Sequence, residues 1–146
     1  MDLLDLLREV ELFDGLTDED LREIARLCRS ETHARGDLLS APDRAASELF
    51  VVAEGFVEVL PGEEEGGPKT VVDLGPGQTF GEIALVNPAA RPRAVRAVQD
   101  GTVLQRIDPE AFLRLCEENT HLGFVVMRNL AADLAFRLEH RAAAHR

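Results

Sequence analysis

Positive charge is scarce in this sequence: 16 lysines and arginines stand against 27 aspartates and glutamates, a formal net charge of −11. Duplex binding draws most of its free energy from neutralising phosphates with Lys and Arg, so this balance excludes a general affinity for nucleic acid. The one dense basic spot, Arg91, Arg93 and Arg96, is too small for a duplex and about right for one phosphate. Cysteine is rarer still. Cys28 and Cys116 lie far from any C-x-x-C or Cys/His spacing, within helix-periodic apolar stretches, and read as small core thiols rather than metal or redox groups. His33, His121, His140 and His145 have no ligand spacing, and no Ser/His/Asp or Cys/His grouping is visible. Neither catalytic residues nor a metal site is therefore expected, and an enzyme is the least favoured class. No apolar run approaches bilayer-spanning length, and Met1-Asp2-Leu3-Leu4-Asp5 lacks the basic start and cleavage site of a secretory signal. A cytoplasmic protein with no membrane partner is expected.

What the chain does have is the composition of one globular domain, 45% hydrophobic and 29% charged, expected to span residues 1–146. Leu3, Leu4, Leu6, Leu7 and Val10 recur at helical spacing and stop at the turn pair Asp14-Gly15. Thr17 then opens T-D-E-D as an N-cap, and Leu21, Ile24, Ala25, Leu27 and Cys28 give a second short helix one apolar face. From about residue 32 to 107 the texture changes to short alternating runs. Leu38-Leu39, Glu48 to Ala53, Phe56 to Leu60, Thr70 to Leu74, Arg93 to Val98 and Thr102 to Ile107 are the predicted strands, spaced as in an antiparallel barrel or jelly roll. The acids of PGEEEGGPK between them read as a solvated loop tip. Asp108 caps a helix with Pro109 in its first turn, and a long helix follows from about Leu122 to Arg141. On it Leu122, Val126, Leu130, Leu134 and Leu138 form one apolar stripe, and Phe124, Met127, Ala131 and Ala135 a second. One stripe suffices to dock the helix; the second calls for a partner subunit, a lid over a ligand, or a helix sunk in its own core.

In this order, helices, strand-rich middle, F-G-E-I-A-L at 80–85, an arginine nine residues beyond Glu82 and a long final helix, the chain resembles a known family. It is similar to the cyclic-nucleotide-binding domain of bacterial catabolite-activator-type regulators and of cyclic-nucleotide-dependent kinase regulatory subunits. LFDGLTDEDLREIARLC resembles the family's opening helical segment, ELFVVAEGFVEVL its strand, glycine turn and strand, DLGPGQTFGEIAL the approach to its phosphate-binding cassette, and RAVRAV the strand after it. The resemblance implies a mixed α and β fold: an antiparallel β-barrel or jelly roll over 32–107 carrying a cassette at 80–94. Two short N-terminal helices within 1–30 and two C-terminal helices within 109–141 flank it. Activator-type members carry a helix-turn-helix after the long helix, and none is visible here, so the chain is expected to act as a stand-alone domain or as a piece of a longer protein.

The resemblance also assigns roles. Glu82 would accept a hydrogen bond from a ribose 2′-hydroxyl, and Arg91 would fork onto the exocyclic phosphate, a task that suits a planar guanidinium. The backbone amides of Gly81, Glu82, Ile83 and Ala84, at the start of a short helix, would favour the anion, and Gly81 would let the backbone come close. The alternative is that Glu82 and Arg91 pair with each other or with solvent. Pro92 stands where the family usually has Ala, Ser or Thr, and it has neither N–H nor hydroxyl. A lost charge-assisted bond there costs about 1.5–3 kcal/mol, roughly ten- to hundredfold in affinity. Arg93 is the candidate either to replace that contact or to hold the phosphate itself in a reshaped loop with Ala94 behind it. Pro42-Asp43 also departs from the family's usual Gly-Asp, in a turn that proline can make. Arg137 in F-R-L-E resembles a family arginine that reaches the cassette glutamate; otherwise it is a helix-surface charge. Arg137, His140 and Arg141 are the base-contact candidates, with no aromatic residue after Phe136 to cap a base. The function so implied is a regulatory sensor of a cyclic mononucleotide, cAMP before cGMP because no threonine follows Arg91, with no other cofactor. Its final helix would move about a hinge near Glu118-Asn119-Thr120 and signal to an unknown downstream protein. The alternative function is an interaction module, dimerising through the last helix, whose pocket is degenerate.

Overall fold

The computed structural model describes residues 1–42, 48–61, 71–90 and 92–144, with side chains as far as His140. The loop at 62–70, Asp43, Arg91, His145 and the Arg141 side chain therefore lie outside the described residues.

The opening segment is not one helix. α1 (Leu3–Arg8) starts at Asp2, whose carboxylate accepts the Leu4 amide at 3.2 Å, and a separate 3-10 turn (Glu11–Phe13) follows. Between them Val10 has extended backbone and is fully buried, which keeps its apolar contact without the helix. α2 (Asp18–Ala25) begins as expected: Thr17 Oγ1 accepts the Asp20 amide at 3.1 Å and Asp20 Oδ2 accepts the Thr17 amide at 3.2 Å, a capping box. It ends at Ala25, short of the predicted helix, and Cys28 lies outside it. Leu27 and Cys28 still pack on the same core, which is why the sequence period outlasts the helix.

Strand β1 (Arg29–His33) starts inside the stretch assigned to the N-terminal helices. Then come β2 (Leu38–Ser40), β3 (Leu49–Glu54), β4 (Val57–Val59), β5 (Val72–Leu74), β6 (Thr79–Phe80), β7 (Val95–Ala97) and β8 (Thr102–Ile107). They form two four-stranded antiparallel sheets, β1-β8-β3-β6 and β2-β7-β4-β5. The result is a jelly-roll sandwich whose sheets do not close into a barrel: among the described residues no ladder joins their edges. The six predicted strands are present, three of them shortened (β4, β5 and β7), β2 one residue longer, β3 shifted by one residue and β8 as predicted. β1 and β6 were not predicted, because RSETH carries no apolar alternation and β6 has only two residues.

Two cores share β3. Leu49 and Val51 join the N-terminal helices and the last two helices; Phe50 and Val52 join Val57, Phe80, Val95 and Leu104 between the sheets. Burial on both faces explains the unbroken apolar run LFVV.

α3 (Pro109–Glu118) is capped as predicted, with Asp108 Oδ2 accepting the Ala111 amide at 3.1 Å and Pro109 in the first turn. α4 (Thr120–Ala144) is longer than predicted at both ends and is separated from α3 by Asn119. The Asn119 carbonyl oxygen of the side chain accepts the Leu122 amide at 3.1 Å, and its amide donates to Asp20 Oδ1 at 3.0 Å, joining this elbow to α2. Further along the helix, the Asn129 amide donates to the Leu12 and Asp14 carbonyls at 3.0 and 2.9 Å. Leu122, Val126 and Leu130 are buried, Leu134 is half-buried and Leu138 is 64% exposed. Of the second stripe, Phe124, Ala131 and Ala135 face solvent or its edge and Met127 is half-buried, so α4 is not sunk in its own core.

Candidate functional site

The site starts where β6 ends. Phe80 pairs with Phe50 across the ladder, their rings stacked with centroids 4.8 Å apart, and the chain then leaves the sheet at Gly81. Gly81 has φ +84°, a left-handed backbone that side chains rarely adopt. A Cβ there would lie 1.9 Å from the Glu48 carbonyl oxygen, so only glycine fits between the turn and β3.

Glu82–Leu85 forms a single 3-10 turn. Four residues are too few to build a macrodipole, so the turn has individual N–H groups to offer an anion rather than a helix-end field. The Ala84 amide already donates to the Gly81 carbonyl at 3.2 Å. Ala84 and Leu85 are buried, and Leu85 belongs to the core that also contains Leu122, Val126 and Leu130 of α4. The turn packs on α3 and β3 and through that shared core is linked to the last helix.

They are joined a second time through charge. Arg137 Nη2 lies 3.0 Å from Glu82 Oε1 and 2.8 Å from Asp133 Oδ2. Arg137 is therefore more than a helix-surface charge. Glu82 itself is buried, with its side chain only 12% exposed, while the arginine is 59% exposed. The other carboxylate oxygen, Oε2, is buried and has no hydrogen-bond partner among the described residues. A buried, unpaired carboxylate oxygen is costly, and the cost is relieved by any group that brings a hydroxyl or N–H to it. Asp133 was not anticipated, although its spacing of four from Arg137 on a helix was readable.

On the far side of the cassette, Pro92, Arg93 and Ala94 are half-buried and lead into β7. The Ala94 carbonyl accepts the Leu60 amide at 2.8 Å, which fixes this limb beside β4. Arg93 forms no ion pair among the described residues. Val95 pairs with Val59, and Val59 with Val72. Alternation puts Glu58, Asp73 and Arg96 outside and Val57, Val59, Val72, Leu74 and Val95 on the inner face of that sheet. Val72 is nevertheless 43% exposed, so the sandwich is open to solvent at the cassette end. These inner valines form an apolar wall that the strand patterns V-E-V, V-D-L and V-R-A could have identified. Near the Arg137 end of α4, the Phe136 and His140 rings lie against each other at a tilt of 32°, centroids 3.9 Å apart, and both stay exposed.

A glycine-led turn, a buried glutamate with one oxygen committed to the last helix, and the apolar inner face of β4, β5 and β7 are what this part of the fold offers a small polar ligand. A family model described as the cyclic nucleotide-binding domain matches residues 30–119. The chain belongs to the cyclic nucleotide-binding domain family. Among curated relatives, potassium channel GORK of Arabidopsis thaliana is 27% identical over 130 residues, covering 89% of this chain and 16% of the channel. The cyclic AMP receptor protein of Thermus thermophilus is 31% identical over 127 residues, covering 87% of this chain and 56% of that protein. The crystal structure of Thermus thermophilus catabolite activator protein superposes with a TM-score of 0.76 at 29% identity, over 92% of this chain and 61% of that one. The chain thus spans about a sixth of the plant channel and over half of the bacterial regulator. As a cyclic nucleotide-binding domain it is a regulatory sensor module, and the jelly roll and flanking helices described above are those of its family.

Proposed function

We propose that this chain binds a cyclic mononucleotide, cAMP in preference to cGMP, and reports occupancy through α4. The observation that carries this reading is Glu82: one carboxylate oxygen is held by Arg137 of α4, and the other is buried without a partner among the described residues. A ribose 2′-hydroxyl donating to Oε2 would satisfy it without displacing Arg137. Arg91, with Arg93 as its neighbour or substitute, and the amides of Gly81 to Ala84 would take the exocyclic phosphate. Val59 and Val72 offer apolar surface to the rest of the ligand. Pro92 supplies no N–H, so affinity is reduced relative to a cassette that keeps that donor.

Calorimetric titration with cAMP, cGMP and 2′-deoxy-cAMP, carried into the millimolar range, tests the reading. One-to-one binding of cAMP is expected, with at least about tenfold weaker binding of the 2′-deoxy compound, since a lost hydrogen bond leaves the buried oxygen unpaired. Glu82→Ala and Arg91→Ala should each weaken cAMP by about tenfold or more. Unchanged affinity in both variants would sink the assignment.

The exposed stripe on α4 favours a second reading, an interaction module that dimerises through this helix. Phe124, Ala131, Ala135 and Leu138 follow a 7-4-3 spacing suited to a helix–helix seam and lie outside the cores of the single chain. The two readings are compatible: a dimer seam beginning next to Arg137 would bring a second subunit, or an unknown downstream protein, close to the cassette. A dimer indifferent to every nucleotide would favour the second reading alone.

A further inference from the structure

We infer that Arg106, remote from the cassette in sequence, is a positioning residue for it, acting through the ion pairs Glu31–Arg106–Glu48 and the backbone of Gly81. Gly81 rests directly on Glu48: a Cβ on this glycine would lie 1.9 Å from the Glu48 carbonyl oxygen and 3.1 Å from its carbonyl carbon. The β3–β6 ladder ends at Phe50 and Phe80, one residue before the cassette departs, so Glu48 is the last backbone support under the turn. Glu48 precedes β3 and is held by its side chain. Its Oε2 lies 3.0 Å from Arg106 Nε, and the same nitrogen lies 3.2 Å from Glu31 Oε1 on β1. Glu31 Oε2 is in turn 3.1 Å from His33 Nε2.

The arrangement binds two carboxylates, one on β1 and one just before β3, to one cation. β8 carries that cation, at the ladder position facing Phe50 on one side and Arg29 on the other. The pairs line a cleft of about 250 Å³ floored by Leu39 and Phe50. Removing Arg106 takes from Glu31 and Glu48 the cation they share, so the Glu48 side chain loses the ion pair that holds it. Gly81 is seated against the Glu48 carbonyl closely enough to leave no room for a Cβ, so a shift of Glu48 is passed on to it. The first turn of the cassette shifts, although none of the substituted atoms reaches a ligand.

Hydrogen exchange on the ligand-free full chain tests this without reference to any nucleotide. In Arg106→Gln, peptides spanning 81–87 are expected to exchange about two- to tenfold faster, while those spanning 122–130 in α4 keep wild-type protection. Glu48→Gln should do the same, the double variant should add little, and Arg106→Lys should recover part of the protection. Wild-type exchange at 81–87 in both single variants would overturn the inference. So would an equal acceleration at 122–130, which would mean general loosening. Because the consequence for affinity rests on the proposed nucleotide binding, cAMP is titrated in parallel. A wild type that binds no cyclic nucleotide refutes the proposed function and leaves the exchange result to decide the role of Arg106. A wild type that binds should lose affinity by a similar factor in Arg106→Gln.

Discussion

At the scale of single residues, the site depends on small margins. Gly81→Ala must place a methyl group 1.9 Å from a backbone oxygen and hold a left-handed φ, so the turn must rebuild. The expected cost is about 1–3 kcal/mol, read by chemical denaturation, with protection lost first at 82–86. The two thiols make the opposite point. Burial pushes the Cys28 thiol up to about 11, and its Sγ donates to the Ile24 carbonyl at 3.6 Å. Burial, with Glu117 nearby, raises the Cys116 thiol as well. Since the thiolate is the nucleophile, iodoacetamide at neutral pH should label both far more slowly in the folded chain than in urea. Rapid labelling of either would contradict their reading as core thiols.

At the scale of elements, the connections between helices matter more than the helices themselves. Burial pushes the Asp20 carboxyl up, but the Asn119 amide, the hydrogen bonds of Thr17 and the nearby His121 outweigh it and hold the group below the usual carboxylate range. A carboxyl depressed in the folded state contributes stability that is present above its unfolded pKa and is lost as pH falls through the folded one. Stability should therefore decline below about pH 4, and Asp20→Asn should flatten that decline while lowering stability at neutral pH. Asn129→Ala removes two hydrogen bonds, one to the 3-10 turn and one to the residue after it, and should cost about 1–2 kcal/mol in urea unfolding. Neither contact was legible in the sequence. Thr17 and Asp108 as caps and the strand at 102–107 were legible, because each depends on neighbours within a few residues. Asn119 on Asp20, Arg137 on Glu82 and Glu48 under Gly81 join positions 33 to 99 residues apart. Of these only the second was foreseen, through family resemblance. The strand β1 was missed for a related reason: its charged RSETH is fixed by pairing with β8 rather than by any apolar alternation.

At the scale of the whole molecule, the exposed stripe of α4 and the strong negative charge act in opposite directions. The stripe favours association, whereas a formal charge of −11 on each copy opposes it through a repulsion that salt screens. Sedimentation should therefore report more dimer as ionic strength rises. Phe124→Glu with Leu138→Glu should keep the chain monomeric at all salt concentrations, without loss of thermal stability, because both side chains lie outside the cores. A monomer under every condition would remove the dimerisation reading and leave the sensor reading untouched.

Strand β3 sets one further property. It is the wall common to both hydrophobic clusters, Leu49 and Val51 on one side and Phe50 and Val52 on the other. Neither cluster can be exposed to water while the other keeps its wall, so the helical and sheet parts should melt as one cooperative unit. Scanning calorimetry should then give a single endotherm with equal calorimetric and van't Hoff enthalpies.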